Sequence, residues 1–185
     1  MKMAIVVASQ TGRTARMGEA AAEGARAAGA EVRLLRAEDA LPSDLEAADA
    51  VMLGTGVHMG GMASTMRAFF ERAAPLWLQG ALIGKVGAAF VSAGAGARGG
   101  AELTLIALLA NLAEHGMLLV PMHNRLEGFA SAGCHWGPVA WTNPRQGQAG
   151  PTPEHLAACR SHGQWVAECT QRMRNPSQSL GSRDG

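Results

Sequence analysis

No tyrosine occurs in this chain, and its aromatic residues amount to four phenylalanines and four tryptophans. Stacking of aromatic side chains on a flat ligand is correspondingly weak. Cysteine is also scarce: the three present are odd in number and form no C-x-x-C, which argues against a disulfide framework and a thioredoxin-type centre and leaves reduced thiols. Net charge is nearly absent, since 16 Lys and Arg offset 15 Asp and Glu to give +1. That balance offers no electrostatic footprint for nucleic acid and no polybasic membrane patch. No apolar run reaches membrane-spanning length, and the first residues lead straight into a strand without the charged, apolar and cleavage regions of a signal peptide. The expectation is a cytoplasmic protein whose partners are small molecules or copies of itself. The motif G-x-x-x-x-G-K-[ST] is missing too, so triphosphate chemistry is not implied. The length of 185 residues suits one domain with a core that needs no staples.

What is present begins at the first turn. The apolar run Met3-Ala4-Ile5-Val6-Val7-Ala8 reads as a buried strand, and Thr14 to Ala28 has helical length with Met17, Ala21, Ala25 and Ala28 on one face. Between them lies Ser9-Gln10-Thr11-Gly12-Arg13-Thr14. The first amides of a helix have no partner inside it and carry partial positive charge, so an anion is stabilised there. Ser9, Thr11 and Thr14 add hydroxyl donors, and Gly12 allows close backbone approach. One hydroxyl would be an ordinary N-cap; three hydroxyls and a glycine within six positions point to a phosphate.

Strand-like and helix-like segments then alternate. Glu31 to Leu35, Ala50 to Leu53 ending at Gly54-Thr55-Gly56, Val86 to Val91, and Met117 to Val120 read as strands, the last short and buried. Leu41 to Ala48 leaves room for a short helix. Met62, Met66, Phe69, Phe70 and Ala73 share a helical face, as do Leu105, Leu108, Leu109 and Leu112. Thr152-Pro153 reads as N-cap and first residue of a helix running to about Met173. Strands separated by helices pair in parallel, with helices on both faces. Ligands of such sheets bind beyond the carboxyl ends of the strands. That rim collects the loops 9–14, 55–61 and 92–100 and the residues just after Val120. The stretch from Gly128 to Gly150 is too long for an idle connection and reads as a site wall or an oligomer contact. Residues 1–174 are expected to form one domain, and 175–185 a disordered tail.

Two other motifs compete with this reading. Gly94-Ala95-Gly96-Ala97-Arg98-Gly99 is a literal G-x-G-x-x-G, but the next strand runs into Pro121-Met122-His123-Asn124 with no carboxylate to hold a ribose, and the motif does not open the first βαβ unit. A glycine-rich loop whose amides lie against a flat ring is the better reading. Cys134-His135 and Cys159-x-x-His162 fit no standard zinc spacing, so no metal is expected.

The loop Ser9-x-Thr11-Gly12-x-Thr14 resembles the phosphate loop of flavodoxin-like proteins. Gly54 to Met62, Met66-Arg67-Ala68-Phe69-Phe70, Leu76 to Lys85 and Glu114-His115-Gly116-Met117 before Pro121 narrow the resemblance to the WrbA-type NAD(P)H:quinone oxidoreductases, over nearly the whole chain to Met173. The resemblance implies a three-layer sandwich with a five-stranded parallel sheet of order 2-1-3-4-5. It implies FMN as cofactor, NAD(P)H as co-substrate, a quinone as acceptor, two-electron ping-pong hydride transfer and a homotetramer, with a dimer as the lesser assembly. Carried over by position, Ser9, Gln10, Thr11, Gly12, Arg13 and Thr14 would hold the phosphate. Val57, His58 and Met59, with Thr55, Gly56 and Gly60, would line the isoalloxazine. Ser92, Ala93, Gly94, Ala95, Gly96 and Ala97 would surround its pyrimidine edge. Trp77 and His115 would build the pocket beside the flavin, partly across a subunit interface. His58 and His115 are the titratable groups suited to neutral pH, and with Trp77 they form the candidate catalytic set.

The chain also departs from that pattern. Thr11 stands where the loop tyrosine is usual, Asn124 where a later tyrosine is, and His58-Met59 where Arg-Phe is. Two rival readings follow: a flavodoxin-like electron carrier, which normally shows an acidic face that this chain lacks, and a flavodoxin-fold protein that has lost FMN.

Overall fold

In the first strand, β1 (Lys2–Ala8), alternate residues serve two different cores, because successive side chains of a strand point to opposite faces. Met3, Ile5 and Val7 pack with Met17, Ala21 and Ala25 of α1 (Arg13–Ala27) and with Cys159, Val166 and Ala167 of α6 (Pro153–Arg174). Ala4, Val6 and Ala8 face the other way, toward Met66, Phe69 and Phe70 of α3 (Ser64–Leu78) and Leu105, Leu108 and Leu112 of α4 (Arg98–Glu114). The result is three layers, helix, sheet and helix, in this computed structural model, which describes residues 1–94, 98–143 and 147–175.

The central sheet runs β2 (Glu31–Arg36), β1, β3 (Ala50–His58), β5 (Val86–Gly94) and β8 (Gly137–Thr142). These strands are parallel throughout, with Ile5 opposite both Leu34 and Met52, and Met52 opposite Ala88. That is the expected flavodoxin-like order, with a difference at the fifth position. There β6 (Leu118–Leu119) pairs with the start of β5, the chain then departs, and β8 returns to pair Val91 of β5 with Val139. The fifth strand is thus two pieces divided by an excursion that carries α5 (Phe129–Ala132) and β7 (Gly133–Cys134), itself antiparallel to β8. Met117 and Val120 are buried as expected, but Leu118 and Leu119 between them are exposed on the sheet edge.

One other boundary differs from the expectation. The third strand runs on to His58 and turns back through β4 (Gly61–Met62), so 55–61 is a strand end and a tight hairpin in place of a loop. The short helix α2 (Pro42–Glu46) forms where room was expected. At α6, Thr152 caps the helix as its sequence suggested, its hydroxyl accepting from the His155 amide. The expected tail, 175–185, lies outside the described residues apart from Asn175. No helix among the described residues is long and apolar enough to cross a membrane.

Candidate functional site

The carboxyl ends of β1, β3, β5 and β8 meet at one rim, where sheets of this kind bind ligands. A pocket of about 120 Å³ opens there, lined by Gln10, Thr11, Arg13 and Thr14 from the first loop, Gly56, Val57 and His58 from β3, Ser92, Ala93 and Gly94 from β5, and Thr142 from β8. Among the described residues no carboxylate lines it, whereas a guanidinium and an imidazole do. Electrostatically it is a site for an anion.

Gly12 is the N-cap of α1 and adopts φ 78°, a conformation that glycine takes without the strain a Cβ would add. It turns the chain so that the first helical amides face outward, and no acidic residue in the first turn competes with an anion for them. Ser9 Oγ accepts from the Ala15 amide at 3.2 Å, which braces the loop from beneath. Ser9 therefore faces away from the rim pocket. Thr14 is buried and its hydroxyl lies 2.8 Å from that of Ser92, joining the first loop to the end of β5. Arg13 donates through Nε to the Ala149 carbonyl at 2.7 Å, tying the loop to the segment beyond β8.

On the β3 side, the His58 imidazole lies over Gly56: a Cβ at Gly56 would come within 3.1 Å of its Nε2. Val57 and His58 are half-buried and face the pocket. Thr55 does not. Its side chain is fully buried and its hydroxyl is spent inside the hairpin, donating to the Gly56 carbonyl and accepting from the Ala63 amide, both at 3.0 Å. Met59 and Gly60 form the hairpin tip, both with positive φ, and Met59 is wholly exposed outside the pocket lining. Of the candidate ring-facing residues, Val57, His58 and Gly56 therefore meet the pocket, while Thr55, Met59 and Gly60 shape the hairpin that carries them. Ser92, Ala93 and Gly94 line the pocket as expected. Ala95, Gly96 and Ala97 lie outside the described residues.

Trp77 and His115 are not at this rim. They sit together in a groove of about 240 Å³ between α3 and α4, with Arg67, Phe70, Asn111 and Glu114. Both helices start at the rim and end at the opposite end of the sheet, where Gly84 donates to the Gly116 carbonyl beside the start of β5. Trp77 is half exposed. Burial pushes the His115 imidazole below the ordinary histidine range, opposed by the negative charge of Glu114, and its Nδ1 is buried without a partner among the described residues.

The residues just after Val120 are also not part of the rim. Because the fifth strand is split, its rim end is Thr142, whose hydroxyl donates to the Ala93 carbonyl at 3.2 Å. Asn143 follows at the rim, while Asn124 lies exposed in the excursion. The wall expected between 128 and 150 thus contributes Thr142 to the pocket and Ala149 to the loop's brace. The signal for this strand was the β-prone run Val139-Ala140-Trp141-Thr142 between Gly137 and the turn pair Asn143-Pro144.

Comparison with known proteins agrees with this geometry. The sequence model of the family NADPH-dependent FMN reductase matches residues 1–129. A protein of Methylocella silvestris named NAD(P)H dehydrogenase (quinone) is 35% identical, over 94% of this chain and 98% of its own length. One of that name from Rhodopseudomonas palustris is 34% identical over 93% and 98%. Among solved structures, a WrbA-like flavodoxin from Agrobacterium tumefaciens superposes with a TM-score of 0.70 at 24% identity, covering 93% of this chain and 98% of that one. The flavodoxin of Megasphaera elsdenii does so with a TM-score of 0.64 at 23% identity, covering 90% and 98%.

Proposed function

Because the chain belongs to the NADPH-dependent FMN reductase family, we propose that it is an FMN-dependent oxidoreductase that passes two electrons from NAD(P)H to a quinone. The observation that carries this reading is the carboxylate-free pocket at the strand ends, which joins a phosphate-suited loop to a slot of backbone and small side chains. The donor set fits a singly phosphorylated, flat cofactor: outward helix amides, the Thr11 and Thr14 hydroxyls and Arg13 on one side, and Gly56, Ala93 and Gly94 with little side chain on the other. When bound, FMN supplies hydride acceptance and return of the electron pair to a second substrate.

The chain's own residues fix and tune the site. Thr14 and Ser92 hold the loop against β5, and Arg13 closes it against Ala149. Val57 and His58 present one apolar and one polar wall at the pocket edge, the imidazole offering a hydrogen bond there. Trp77 and His115 act from a neighbouring copy in a homotetramer. The half-exposed Trp77 and the exposed Leu78 and Ile83 at the same end of the molecule support such a contact. Residues 1–174 form one flavodoxin-like domain working in the cytoplasm.

Purified protein tests this directly. It is expected to be yellow or to bind added FMN, to be bleached anaerobically by one equivalent of NADH or NADPH, and to be recoloured by a benzoquinone. Light scattering should give a tetramer, and Trp77→Ala should raise the quinone KM while leaving FMN affinity unchanged. A colourless protein with no affinity for FMN would overturn the reading. Bleaching only by one-electron donors would return it to the electron-carrier class.

A further inference from the structure

The outer face of α4 is apolar where a solvated helix would carry charge. Leu103, Ile106, Ala110 and Ala113 form an exposed stripe along it, and no charged residue stands between Glu102 and Glu114. A helix that is apolar all round is normally covered. Beside the stripe a cleft of about 330 Å³ opens toward the edge strand β6, between Ile106, Ala110 and Ala113 on one side and Leu119, Pro121 and Trp136 on the other, with no polar side chain in its lining. Past β6 the apolar surface reaches Ile83, whose Cγ1 a Cβ on Gly116 would approach to 3.0 Å, and so joins the exposed Leu78 and Trp77. With Leu118, the exposed large side chains of this surface leave roughly 900 Å² open to solvent, at about 200 Å² for each when fully exposed. The largest apolar patch of a typical monomer covers about 300–600 Å², whereas one side of a stable interface covers about 800 Å².

A second copy of this chain suits the surface better than a small molecule or a membrane. A small-molecule site orients its ligand with a few convergent polar groups, and the cleft has none. Membrane surfaces draw basic residues, but the charges at the two ends of the stripe are Glu102 and Glu114. A contact about a two-fold axis needs hole and knob on the same face. The cleft and the half-exposed Trp136 at its edge supply both, and the small side chains of Ala110 and Ala113 allow a close approach.

The direction of α4 gives such a contact a chemical consequence. The helix starts at the rim, where a Cβ on Gly100 would meet Gly60 Cα at 3.3 Å and Val57 Cγ1 at 3.4 Å, and it ends beside His115 and Trp77. Its 17 residues span about 25 Å. A two-fold axis crossing it near the middle runs two copies of α4 antiparallel, with the negative end of each helix dipole beside the positive start of the other. We propose that two copies pair in this way through the α4 stripe and the β6 cleft, and that the pairing carries Trp77 and His115 of one copy to the rim pocket of the other. This rests on the assignment of those two residues to a neighbouring copy's site, and it names the surface that puts them there.

Sedimentation velocity on the purified protein tests the surface. Ile106→Asp and Leu103→Glu are each expected to lower the mass of the assembly at least about two-fold, with far-UV circular dichroism unchanged and FMN affinity within about two-fold of the parent, since neither residue lines the rim pocket. Co-expression of two variants tests the exchange of ends. Gly12→Asp puts a carboxylate among the loop amides and removes FMN binding from its own copy, while Trp77→Ala leaves the loop intact. In a mixed pair the intact loop of one copy meets the intact Trp77 of the other, so the quinone KM raised by Trp77→Ala alone should return to the parental value. A monomeric parent, a mass unchanged in both α4 variants, or a KM that stays raised in the mixed pair would overturn the inference. So would a monomer that sediments with phosphatidylcholine vesicles, which would give the face to a membrane. A colourless assembly that both substitutions dissociate would leave the surface standing and remove the redox reading; a monomer that binds FMN would do the reverse.

Discussion

The hydroxyls of Thr14 and Ser92 meet at 2.8 Å in the buried floor of the rim pocket, bringing together residues 78 positions apart in sequence. Two hydroxyls carry two donor protons, and the contact between them uses one. The other remains available to a ligand in the pocket that both residues line. Replacing Thr14 with valine keeps the shape and leaves Ser92 unpaired. The expected cost is about 1–3 kcal/mol of stability, from the penalty for an unsatisfied buried polar group. FMN affinity should fall by about ten-fold, the equivalent of about 1.4 kcal/mol. Thr14→Ser should restore most of both. Urea unfolding and flavin fluorescence titration measure the two effects separately.

Arg13 gives a second handle on the same loop, because its Nε bond to the Ala149 carbonyl spans 136 residues. Arg13→Gln removes the planar fork but keeps a polar side chain. Faster amide exchange at Gly147 to Gly150 is expected, together with weaker FMN binding. Unchanged exchange there would mean that the bond does not hold this segment in solution.

The alternation of strands and helices and three of the four rim elements are built from local patterns visible in the sequence, whereas the sheet order is implied by the family resemblance. Ser9 to Thr14 could be read as a phosphate loop because hydroxyls, glycine and a helix start lie within six residues. The division of the fifth strand was not legible in the same way. Met117 to Val120 reads as a whole strand, while Val139 to Thr142 lies inside a stretch that reads as a wall, and what unites the two pieces is pairing with opposite ends of β5, a non-local fact. The burial of the Thr55 hydroxyl was hidden for a similar reason. Its partner, the Ala63 amide, comes close only after the hairpin at Met59-Gly60 has formed. Trp77 and His115 share a groove because α3 and α4 lie side by side, which sequence spacing does not encode.

His162 makes stability depend on acidity. It is fully buried in α6, its Nε2 donates to the Val120 carbonyl at 3.1 Å, and its Nδ1 has no partner among the described residues. Burial, with a smaller push from nearby His123, lowers its pKa to about 4. In the unfolded chain the ring takes up a proton near pH 6.5. Between about pH 6.5 and about pH 4 the unfolded state thus holds a proton that the native state refuses, and stability drops as pH falls through that window. The loss from this residue approaches about 3 kcal/mol at its lower end. His162→Gln keeps an N–H for Val120 and removes the titration. Its urea midpoint should vary less than that of the parent protein between about pH 7 and about pH 5.

The hairpin tip is strained in a way that can be relieved. Met59 adopts φ 49° and is followed by Gly60 at φ 83°, the backbone of a two-residue turn that favours Asn-Gly. Methionine gains nothing from this conformation, since its side chain is wholly exposed. Met59→Asn should therefore raise stability by up to about 1 kcal/mol, because asparagine tolerates the left-handed region better. A higher thermal midpoint with unchanged FMN affinity is the expected result. Lower stability would show that the Met59 side chain makes a contact in solution, for instance with a neighbouring copy.

The placement of the first loop finally depends on how α1 is held from behind. Where α1 crosses α6, Gly24 and Gly163 each face a carbonyl of the other helix: a Cβ on Gly24 would lie 1.9 Å from the Arg160 oxygen, and one on Gly163 would lie 2.1 Å from the Ala21 oxygen. In an exposed helix, replacing glycine with alanine stabilises by about 1 kcal/mol. Here the added methyl meets a backbone that cannot rotate away, and the helices must separate. Gly24→Ala and Gly163→Ala are each expected to destabilise by about 1–3 kcal/mol, the opposite sign from propensity alone. Because α1 begins at the phosphate-suited loop, the displacement should also weaken FMN binding, more for Gly24→Ala than for a substitution at exposed Glu23 beside it. Thermal unfolding with the flavin titration distinguishes the cases: a stabilised Gly24→Ala would mean that the two helices do not cross this closely.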